Sequence, residues 1–216
     1  MSKNQYKSTK KPPFSLKNIK KWESIIGVDE AGRWSWAGPV VAACVVWSGK
    51  NPIVWILQDS KKMTEKNREE TYQEILRLAQ EDKLSYGIGI IDNTIIDTVG
   101  IREANRRAME EALLAVKNNW EHLLIDGRDN YRFDITDLPE PNYIVRGDSK
   151  VKQIMAASIL AKVTRDHIMI QYENIFPWYG FKRHKGYGTE IHQIALKELG
   201  ISAIHRKTYS PILLFS

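Results

Sequence analysis

The stretch that decides the fold covers residues 24–47 and reads SIIGVDEAGRWSWAGPVVAACVVW. Its first part, Ser24 to Glu30, is an apolar run that ends in two acids, and the Ala31-Gly32 that follows predicts a strand closed by a turn. The run from Pro39 to Trp47 is rich in valine and predicts a second, buried strand. We interpret the two runs as a hairpin-like pair that begins a sheet.

Helices and strands alternate along the rest of the chain. The patterns predict, in order, a helix capped by Thr64, a strand from Leu84 to Ile91, an amphipathic helix from Ile101 to Val116, short strands at 123–125 and 143–145, a long helix through Ile154 to Val163, and a helix at 191–199 before a basic irregular tail. This order predicts an α/β fold, with a mixed sheet flanked by helices.

Length and composition are those of an ordinary globular protein. The 216 residues suffice for one large domain with its own core, or for a domain with a small appendage. The single cysteine, Cys44, excludes an internal disulfide and a cysteine-based zinc site, and its apolar neighbours predict a buried thiol. Because no apolar run is long enough to span a bilayer and no signal peptide is evident, we expect no membrane association and a cytoplasmic location. A monomer is the default expectation.

Positive charge is concentrated at the N-terminus. Residues 1–21 hold seven lysines and no acid, whereas the rest of the chain holds 25 basic and 26 acidic residues. We therefore divide the chain into a basic arm, residues 1–21, expected to be flexible, and a folded domain, residues 22–216. The arm is either a nucleic-acid tether that gains affinity by counterion release or a solvated tail that favours solubility, and the sequence leaves both open.

Acidic residues stand at the ends of three apolar runs. These acids are Asp29, Glu30, Asp126 and Asp148. In α/β sheets, sites gather at the carboxyl ends of strands, so we expect the four side chains to converge there. Clustered carboxylates repel one another unless a cation neutralises them, and oxygen ligands without cysteine or histidine suit Mg²⁺ or Mn²⁺. The pattern thus favours a carboxylate-held metal site that assists phosphodiester hydrolysis.

Each acid also has a structural interpretation. Asp126-Gly127 is compatible with a simple turn, Asp148 or Ser149 with a helix cap, and Asp29-Glu30 with ion pairs to Arg33. A fifth acid, Asp166, lies 18 positions after Asp148 in what looks like the same helix. At ~1.5 Å per residue the two would be roughly 27 Å apart, so we expect Asp166 to pair with Arg165 or another base instead of joining the site.

Several longer motifs follow one another from about Ile26 to Pro211. They are Gly27-Val28-Asp29-Glu30-Ala31-Gly32-Arg33, Ala37-Gly38-Pro39-Val40, Asp59-Ser60-Lys61-Lys62-Met63, Asp126-Gly127, Gly147-Asp148-Ser149-Lys150 through Ala156 to Asp166, His184-Lys185-Gly186-Tyr187-Gly188-Thr189 and His205-Arg206-Lys207. In content and in order they resemble the signatures of the ribonuclease HII family. Motifs of this length are specific, so chance agreement is not a reasonable explanation.

The resemblance implies a ribonuclease H-like fold with a C-terminal helical segment. It also implies an endonuclease that cuts the RNA strand of RNA/DNA hybrids and at ribonucleotides embedded in duplex DNA. By motif, the catalytic and metal-binding residues would be Asp29, Glu30, Asp126 and Asp148, and the chemistry would be two-metal hydrolysis giving 5′-phosphate and 3′-hydroxyl ends. Gly32, Arg33, Trp34 and Tyr187 correspond to the segment and the tyrosine that read the 2′-hydroxyl. Lys61 and Lys62 are expected to contact phosphates.

One position departs from the family pattern. Trp34 stands where the family has a second glycine, which places a bulky ring beside the expected junction-reading segment. The ring either packs away with a compatible backbone, or stacks on substrate and weakens junction specificity. His184 is expected to face phosphate or solvent. The basic residues are interpreted either as the lining of a strand-binding groove or as a solvated face; they are Arg146, Lys150, Lys152, Lys182, Arg183, Lys185, Arg206 and Lys207. The alternatives are a catalytically silent nucleic-acid-binding module and a nuclease of the same fold with another preference, such as a junction resolvase.

Overall fold

A computed structural model describes residues 15–19, 24–49, 57, 63–116 and 120–215. The described residues form a five-stranded sheet with the order β3-β2-β1-β4-β5. The strands are β1 (Ile25–Ala31), β2 (Val40–Trp47), β3 (Leu84–Ile91), β4 (His122–Asp126) and β5 (Asn142–Ile144). Strands β1 to β3 pair antiparallel, whereas β4 pairs parallel with both β1 and β5. The predicted mixed sheet and its opening hairpin-like pair are thus confirmed.

Helices cover both faces of the sheet and form the C-terminal region. They are α1 (Glu65–Gln80), α2 (Asn93–Val99), α3 (Ile101–Leu114), α4 (Lys152–Ile175), α5 (Phe181–His184), α6 (Glu190–Leu199) and α7 (Ser210–Leu213). Helix α1 begins as predicted at Thr64, whose side chain accepts a hydrogen bond from the N–H of Asn67. The C-terminal helices pack on the end of α4 through Met169, Phe181 and Ala195. No helix within the described residues is long and apolar enough to cross a bilayer.

The core has two layers because β2 alternates its side chains between the two faces. Val40, Ala42, Cys44 and Val46 pack with α3, while the residues between them pack with α1 and α4. Every residue of β2 is buried, which explains why its sequence is continuously apolar and does not alternate. Burying one such valine stabilises the fold by roughly 1.5–3 kcal/mol.

Two glycines of β3 let α3 approach the sheet closely. A β-carbon on Gly87 would lie 1.9 Å from the carbonyl oxygen of Ala112, and one on Gly89 would lie 2.0 Å from that of Ala108. The same Ala112 oxygen accepts a hydrogen bond from the thiol of Cys44 at 3.1 Å. Burial raises the pKa of this thiol to about 12. The predicted buried, unreactive cysteine is therefore confirmed.

The structure corrects the sequence interpretation in three places. Helix α2 was not predicted, and Asp92 caps it by accepting a hydrogen bond from the N–H of Ile95. The tail is not wholly irregular, because it contains α7 and a bridge between Ala37 and His205. Helix α4 begins only at Lys152, so Asp148 precedes it in the 3-10 turn Gly147–Ser149 and neither Asp148 nor Ser149 caps it. The arm up to residue 14, Lys61 and Lys62 lie outside the described residues.

Candidate active site

Two parallel strands bring three of the four predicted acids to one edge of the sheet. Strands β1 and β4 are neighbours, and their register pairs Val28 with Ile125. The next residue on each strand is Asp29 on β1 and Asp126 on β4. Glu30 follows Asp29 within β1. The expected convergence at the carboxyl ends of the strands is therefore present for these three residues.

The pleat of β1 sends its two acids to opposite faces. Asp29 turns toward α4 and is hydrogen-bonded to Ser158, whereas Glu30 turns toward α3 and is hydrogen-bonded to Asn105. Both nevertheless line, together with Asp126, a cavity of about 380 Å³. Strand β1 ends at Ala31, directly beyond the pair, and this lets both carboxyl groups border the same space.

Two acids of the cavity, Asp29 and Glu30, have raised pKa values. Burial raises the pKa of Asp29 well above its usual range, and the negative charges of Glu30 and Asp126 raise it further. Burial likewise raises the pKa of Glu30 to about 7, although Arg33 opposes this. Taking charged carboxyl groups out of water costs several kcal/mol each, so either protonation or a bound cation would stabilise these two groups.

Asp148 stands beside the cavity but not in its lining. Its side chain is buried, and its N–H approaches Oδ1 of Asp126 at 3.4 Å. The same oxygen accepts a hydrogen bond from the N–H of Gly147 at 2.5 Å. Within the part of the chain that is described, no three acidic, histidine or cysteine side chains converge closely enough to form a ready metal site. Binding a cation there requires rotation of these side chains, chiefly of Asp126 away from the backbone.

The turn after β1 carries the predicted Gly32-Arg33-Trp34 segment. Gly32 adopts a positive φ of 87°, and a β-carbon there would lie 1.9 Å from Nε of Arg165, so only glycine fits. Trp34 does not have a positive φ, which is why tryptophan is tolerated at this position. Its ring is 76% exposed at the border of the cavity, and the guanidinium of Arg33 lies 5.4 Å from its centre.

The ion pair that we considered between Arg33 and the acids of β1 is replaced by another. Arg33 pairs with Asp129, which also accepts a hydrogen bond from the hydroxyl of Tyr131 at 3.2 Å. That hydroxyl accepts one from the side-chain amide of Asn105 at 3.0 Å. Asp129 and Tyr131 thus link Arg33 to the side chain of Asn105, which is hydrogen-bonded to Glu30. The sequence offered no signal for Asp129, Tyr131 or Asn105, because their roles depend on which strands become neighbours.

Tyr187 lines the same cavity. Two further basic residues, Arg68 and Lys162, line the same cavity and were not predicted. Nζ of Lys162 is 5.5 Å from the centre of the Tyr187 ring and 2.8 Å from Oδ1 of Asp166. The expectation that Asp166 pairs with a nearby base is confirmed, although the base is Lys162 and not Arg165.

The expectation that His184 and all of its basic neighbours face phosphate or solvent was wrong. The side chains of His184, Lys185 and Arg206 are all buried. Arg206 donates to the carbonyl oxygens of Arg33, Gly38 and Pro39, so its hydrogen bonds stabilise the turn after β1. Arg165 donates to Ala37, Pro39 and Lys185 in the same way. Buried backbone carbonyls need donors, and sequence alone does not show which cation supplies them.

A larger cavity of about 760 Å³ lies beyond Tyr131, at the start of α3. Arg106 forms ion pairs there with Glu103, Glu110 and Asp134. The lining of this larger cavity includes none of the four predicted acids. The smaller cavity is therefore the better candidate for catalysis.

Comparison with known proteins identifies relatives along most of the chain. A family model described as Ribonuclease HII matches residues 26–211. Ribonuclease HII of Clostridioides difficile (strain 630) is 47% identical over 183 residues, which cover 85% of this chain and 68% of that protein. That of Caldanaerobacter subterraneus subsp. tengcongensis is 46% identical over 185 residues, covering 86% and 73%.

Solved structures show the same fold at lower identity. The ribonuclease HII of Archaeoglobus fulgidus, solved in complex with PCNA, aligns with a TM-score of 0.71 and 23% identity, over 86% of this chain and 95% of that one. Bst-RNase HIII, solved in complex with Mn²⁺, aligns with a TM-score of 0.65 and 15% identity, over 88% and 68%.

Proposed function

Because the chain belongs to the ribonuclease HII family, and is thus an endonuclease that cleaves the RNA of RNA/DNA hybrids, we propose that Asp29, Glu30, Asp126 and Asp148 form its catalytic centre. One observation carries this proposal. The parallel pairing of β1 with β4 places three carboxylates around one cavity, and basic groups stand on its other walls. Asp148 lies next to Asp126 through the 3-10 turn, where rotation of either side chain brings it toward the same space.

The donor set fits divalent cations that prefer oxygen. The cavity offers carboxylates without cysteine or histidine, which matches Mg²⁺ or Mn²⁺ and not zinc. Burial and the neighbouring negative charges raise the pKa of Asp29, and burial raises that of Glu30, so a bound cation would stabilise the ionised forms of both. Mn²⁺ is bound by Bst-RNase HIII, whose chain has the same fold. We infer that the four acids hold two such cations, which supply Lewis-acid activation of water and stabilise the departing 3′-oxygen.

The chain's own residues position these groups. Ser158 holds the carboxyl group of Asp29 from α4, and Asn105 holds that of Glu30 from α3. Lys162 and Arg68 place positive charge on the wall of the cavity, where a phosphate of the cleaved strand would be attracted. Cleavage of the bond to the 3′-oxygen leaves 5′-phosphate and 3′-hydroxyl ends.

Recognition of the ribonucleotide is assigned to residues that line the cavity beside the acids. Gly32, Arg33 and Tyr187 are among them, so a 2′-hydroxyl bound there could be read by the backbone of the turn and by the tyrosine. The exposed ring of Trp34 is available to stack on a sugar or base beside the scissile bond. We propose that this stacking weakens the preference for a single embedded ribonucleotide while hybrid cleavage is retained.

For other parts of the molecule, we propose the roles that the sequence predicts. Residues 22–216 would be the ribonuclease H-like catalytic domain, and residues 1–21 a basic arm beside it. Lys61 and Lys62 would contact phosphates of the RNA/DNA hybrid or of ribonucleotide-containing duplex DNA. A monomeric state and a cytoplasmic location stay predictions.

A cleavage assay tests the proposal. Native protein is expected to cut a hybrid and a DNA duplex with one ribonucleotide only when Mg²⁺ or Mn²⁺ is present, with products mapped at base resolution. Asp29→Asn and Asp126→Asn should each lose activity by at least about a thousandfold, because a neutral amide is a poor ligand for a hard cation. The control, Glu198→Gln, changes an exposed acid on α6 and should retain full activity. Undiminished turnover in either aspartate variant would refute the assignment.

A further inference from the structure

Two stacked histidines contact the backbone of the loop that carries Tyr187. The rings of His184 and His192 lie 4.2 Å apart, centre to centre, and are nearly parallel, with 15° between their planes. Nδ1 of His184 accepts a hydrogen bond from the N–H of Gly186 at 3.1 Å. Nδ1 of His192 lies 3.0 Å from the carbonyl oxygen of Tyr187. The peptide group between Gly186 and Tyr187 therefore has a histidine contact on each side.

A third histidine continues the chain of contacts into the C-terminal region. Nε2 of His192 lies 2.9 Å from Nε2 of His205, and Nδ1 of His205 accepts a hydrogen bond from the N–H of Ser202 at 2.8 Å. The side chains of His192 and His205 are completely buried. The order of contacts is thus Ser202, His205, His192 and then the carbonyl of Tyr187.

The hydrogen-bond partners of the three histidines determine which ring nitrogen carries the proton in each. A backbone N–H only donates, so Nδ1 of His205 carries no proton and its Nε2 does. That Nε2–H donates to Nε2 of His192, which leaves the proton of His192 on Nδ1, where it meets the carbonyl of Tyr187. His184 carries its proton on Nε2, which donates to the carbonyl of Tyr179 at 2.7 Å. All three rings are therefore neutral, each in a single tautomer.

We propose that His192, oriented by His205 and stacked on His184, is a positioning residue that sets Tyr187 for recognition of the 2′-hydroxyl. The inference rests on the role proposed above for Tyr187. It deepens that role, because a ring on a short loop needs an external constraint to hold its hydroxyl within the small error that hydrogen bonding tolerates.

The surrounding contacts support a positioning role over simple core packing. The N–H of Trp36 donates to the carbonyl of Gly186 at 2.8 Å, so the Tyr187 loop is also tied to the turn after β1. Burial lowers the pKa of His192 to about 3 and that of His205 to about 4, with the neighbouring His184 contributing in both cases. An apolar side chain of similar size would fill this space but could not bond the carbonyl of Tyr187.

Two substitutions at one position separate hydrogen bonding from packing. In His192→Asn the side-chain amide nitrogen takes the place of Nδ1, so the bond to Tyr187 can form. In His192→Gln the amide oxygen can take the place of Nε2 and accept from Nε2–H of His205, but no donor takes the place of Nδ1, so the bond to Tyr187 is lost. The measured quantity is the ratio of affinities for a duplex with one ribonucleotide and for the same duplex in DNA, in metal-free buffer where no hydrolysis occurs.

The native ratio is expected to fall about tenfold in His192→Gln and less than about threefold in His192→Asn. In a Tyr187→Phe background, which lacks the hydroxyl, His192→Gln should have little further effect on the ratio. Equal losses in both His192 variants, or a full additional loss in the Tyr187→Phe background, would overturn the positioning role. If Tyr187→Phe alone leaves the ratio unchanged, the role of Tyr187 itself is wrong.

The proton positions are tested on the native protein, independently of any variant's folding. Long-range ¹H–¹⁵N spectra of the imidazoles should show a proton on Nδ1 of His192 and on Nε2 of both His184 and His205. Any other tautomer of His192 overturns the proposal, whatever the binding data show for Tyr187.

Discussion

Gly27 of β1 lies so close to α4 that a β-carbon on it would stand 2.4 Å from the backbone nitrogen of Ile154. The strand and the helix therefore meet backbone to backbone. This contact fixes the distance between β1, which carries Asp29, and the part of α4 that carries Ser158. The geometry of the carboxylate cavity thus depends on a residue that takes no part in the chemistry.

Gly27→Ala should therefore destabilise the fold strongly. Because the added methyl group meets main-chain atoms that cannot rotate away, we expect a loss of roughly 3 kcal/mol or more in the free energy of unfolding. Denaturant titration followed by circular dichroism measures this loss. The comparison is Gly200→Ala, where a β-carbon has open space but the backbone, with φ of 71° and ψ of −160°, favours glycine. That strain should cost about 1–3 kcal/mol without any clash, so Gly27→Ala should cost more, and an equal or smaller cost at Gly27 would contradict the close packing.

Divalent cations should stabilise the native protein more than its aspartate variants. Asp29, Glu30 and Asp126 repel one another in the metal-free cavity, so Asp29→Asn relieves repulsion and should unfold at a higher temperature than the native chain without metal. Millimolar Mn²⁺ should raise the midpoint of the native protein by several degrees, and that of Asp29→Asn much less. Differential scanning calorimetry with and without EDTA gives the comparison. Equal stabilisation of both would place the cation elsewhere.

The histidine cluster makes stability depend on pH. His192 and His205 have pKa values of about 3 and 4 in the folded protein, against an ordinary value of 6.5, because burial disfavours the charged ring. A lowered folded pKa means that the unfolded chain binds protons first. Their contribution to stability is thus fully present above pH 6.5 and is lost as the pH falls toward 4. Thermal midpoints measured across this range should drop, and the drop should be smaller in His192→Asn. An identical pH profile in the two proteins would argue against neutral buried rings.

Trp34 should influence which substrate is cut best. In Trp34→Gly, cleavage at a single embedded ribonucleotide should rise relative to hybrid cleavage, because a bulky ring leaves the junction. The ratio of kcat/KM for the two substrates measures the effect. Trp178→Gly is the control, since that ring is 84% exposed and does not line the cavity. The same substrate preference in native protein and Trp34→Gly would discard the idea.

Local patterns were sufficient to predict the elements that build the sheet. The apolar run of β2, the cap at Thr64 and the acids at strand ends are each visible within a few residues of sequence. The family motifs then assigned the acids, and the structure places three of them around one cavity. Helix α2 was missed because its seven residues are too few to show a helical period.

Contacts between distant segments were the part that sequence could not supply. Arg206 was expected on a basic surface and Arg165 as a partner of Asp166, yet both are fully buried donors to carbonyls between β1 and β2. His184 was misplaced for the same reason, since its partners Tyr179 and Gly186 become meaningful only once the loop is folded. From sequence alone, a charged residue near an active site is interpreted as contacting a ligand. Only the fold shows that its partners are buried backbone carbonyls.

The most direct test of the catalytic centre is anomalous diffraction from crystals of the native chain grown with Mn²⁺. The account predicts manganese peaks in the cavity, within about 2.0–2.4 Å of carboxylate oxygens from Asp29, Glu30 and Asp126, with Asp148 completing the set. Manganese bound only elsewhere, with these carboxylates still turned to Ser158, Asn105 and the N–H of Gly147, would contradict it.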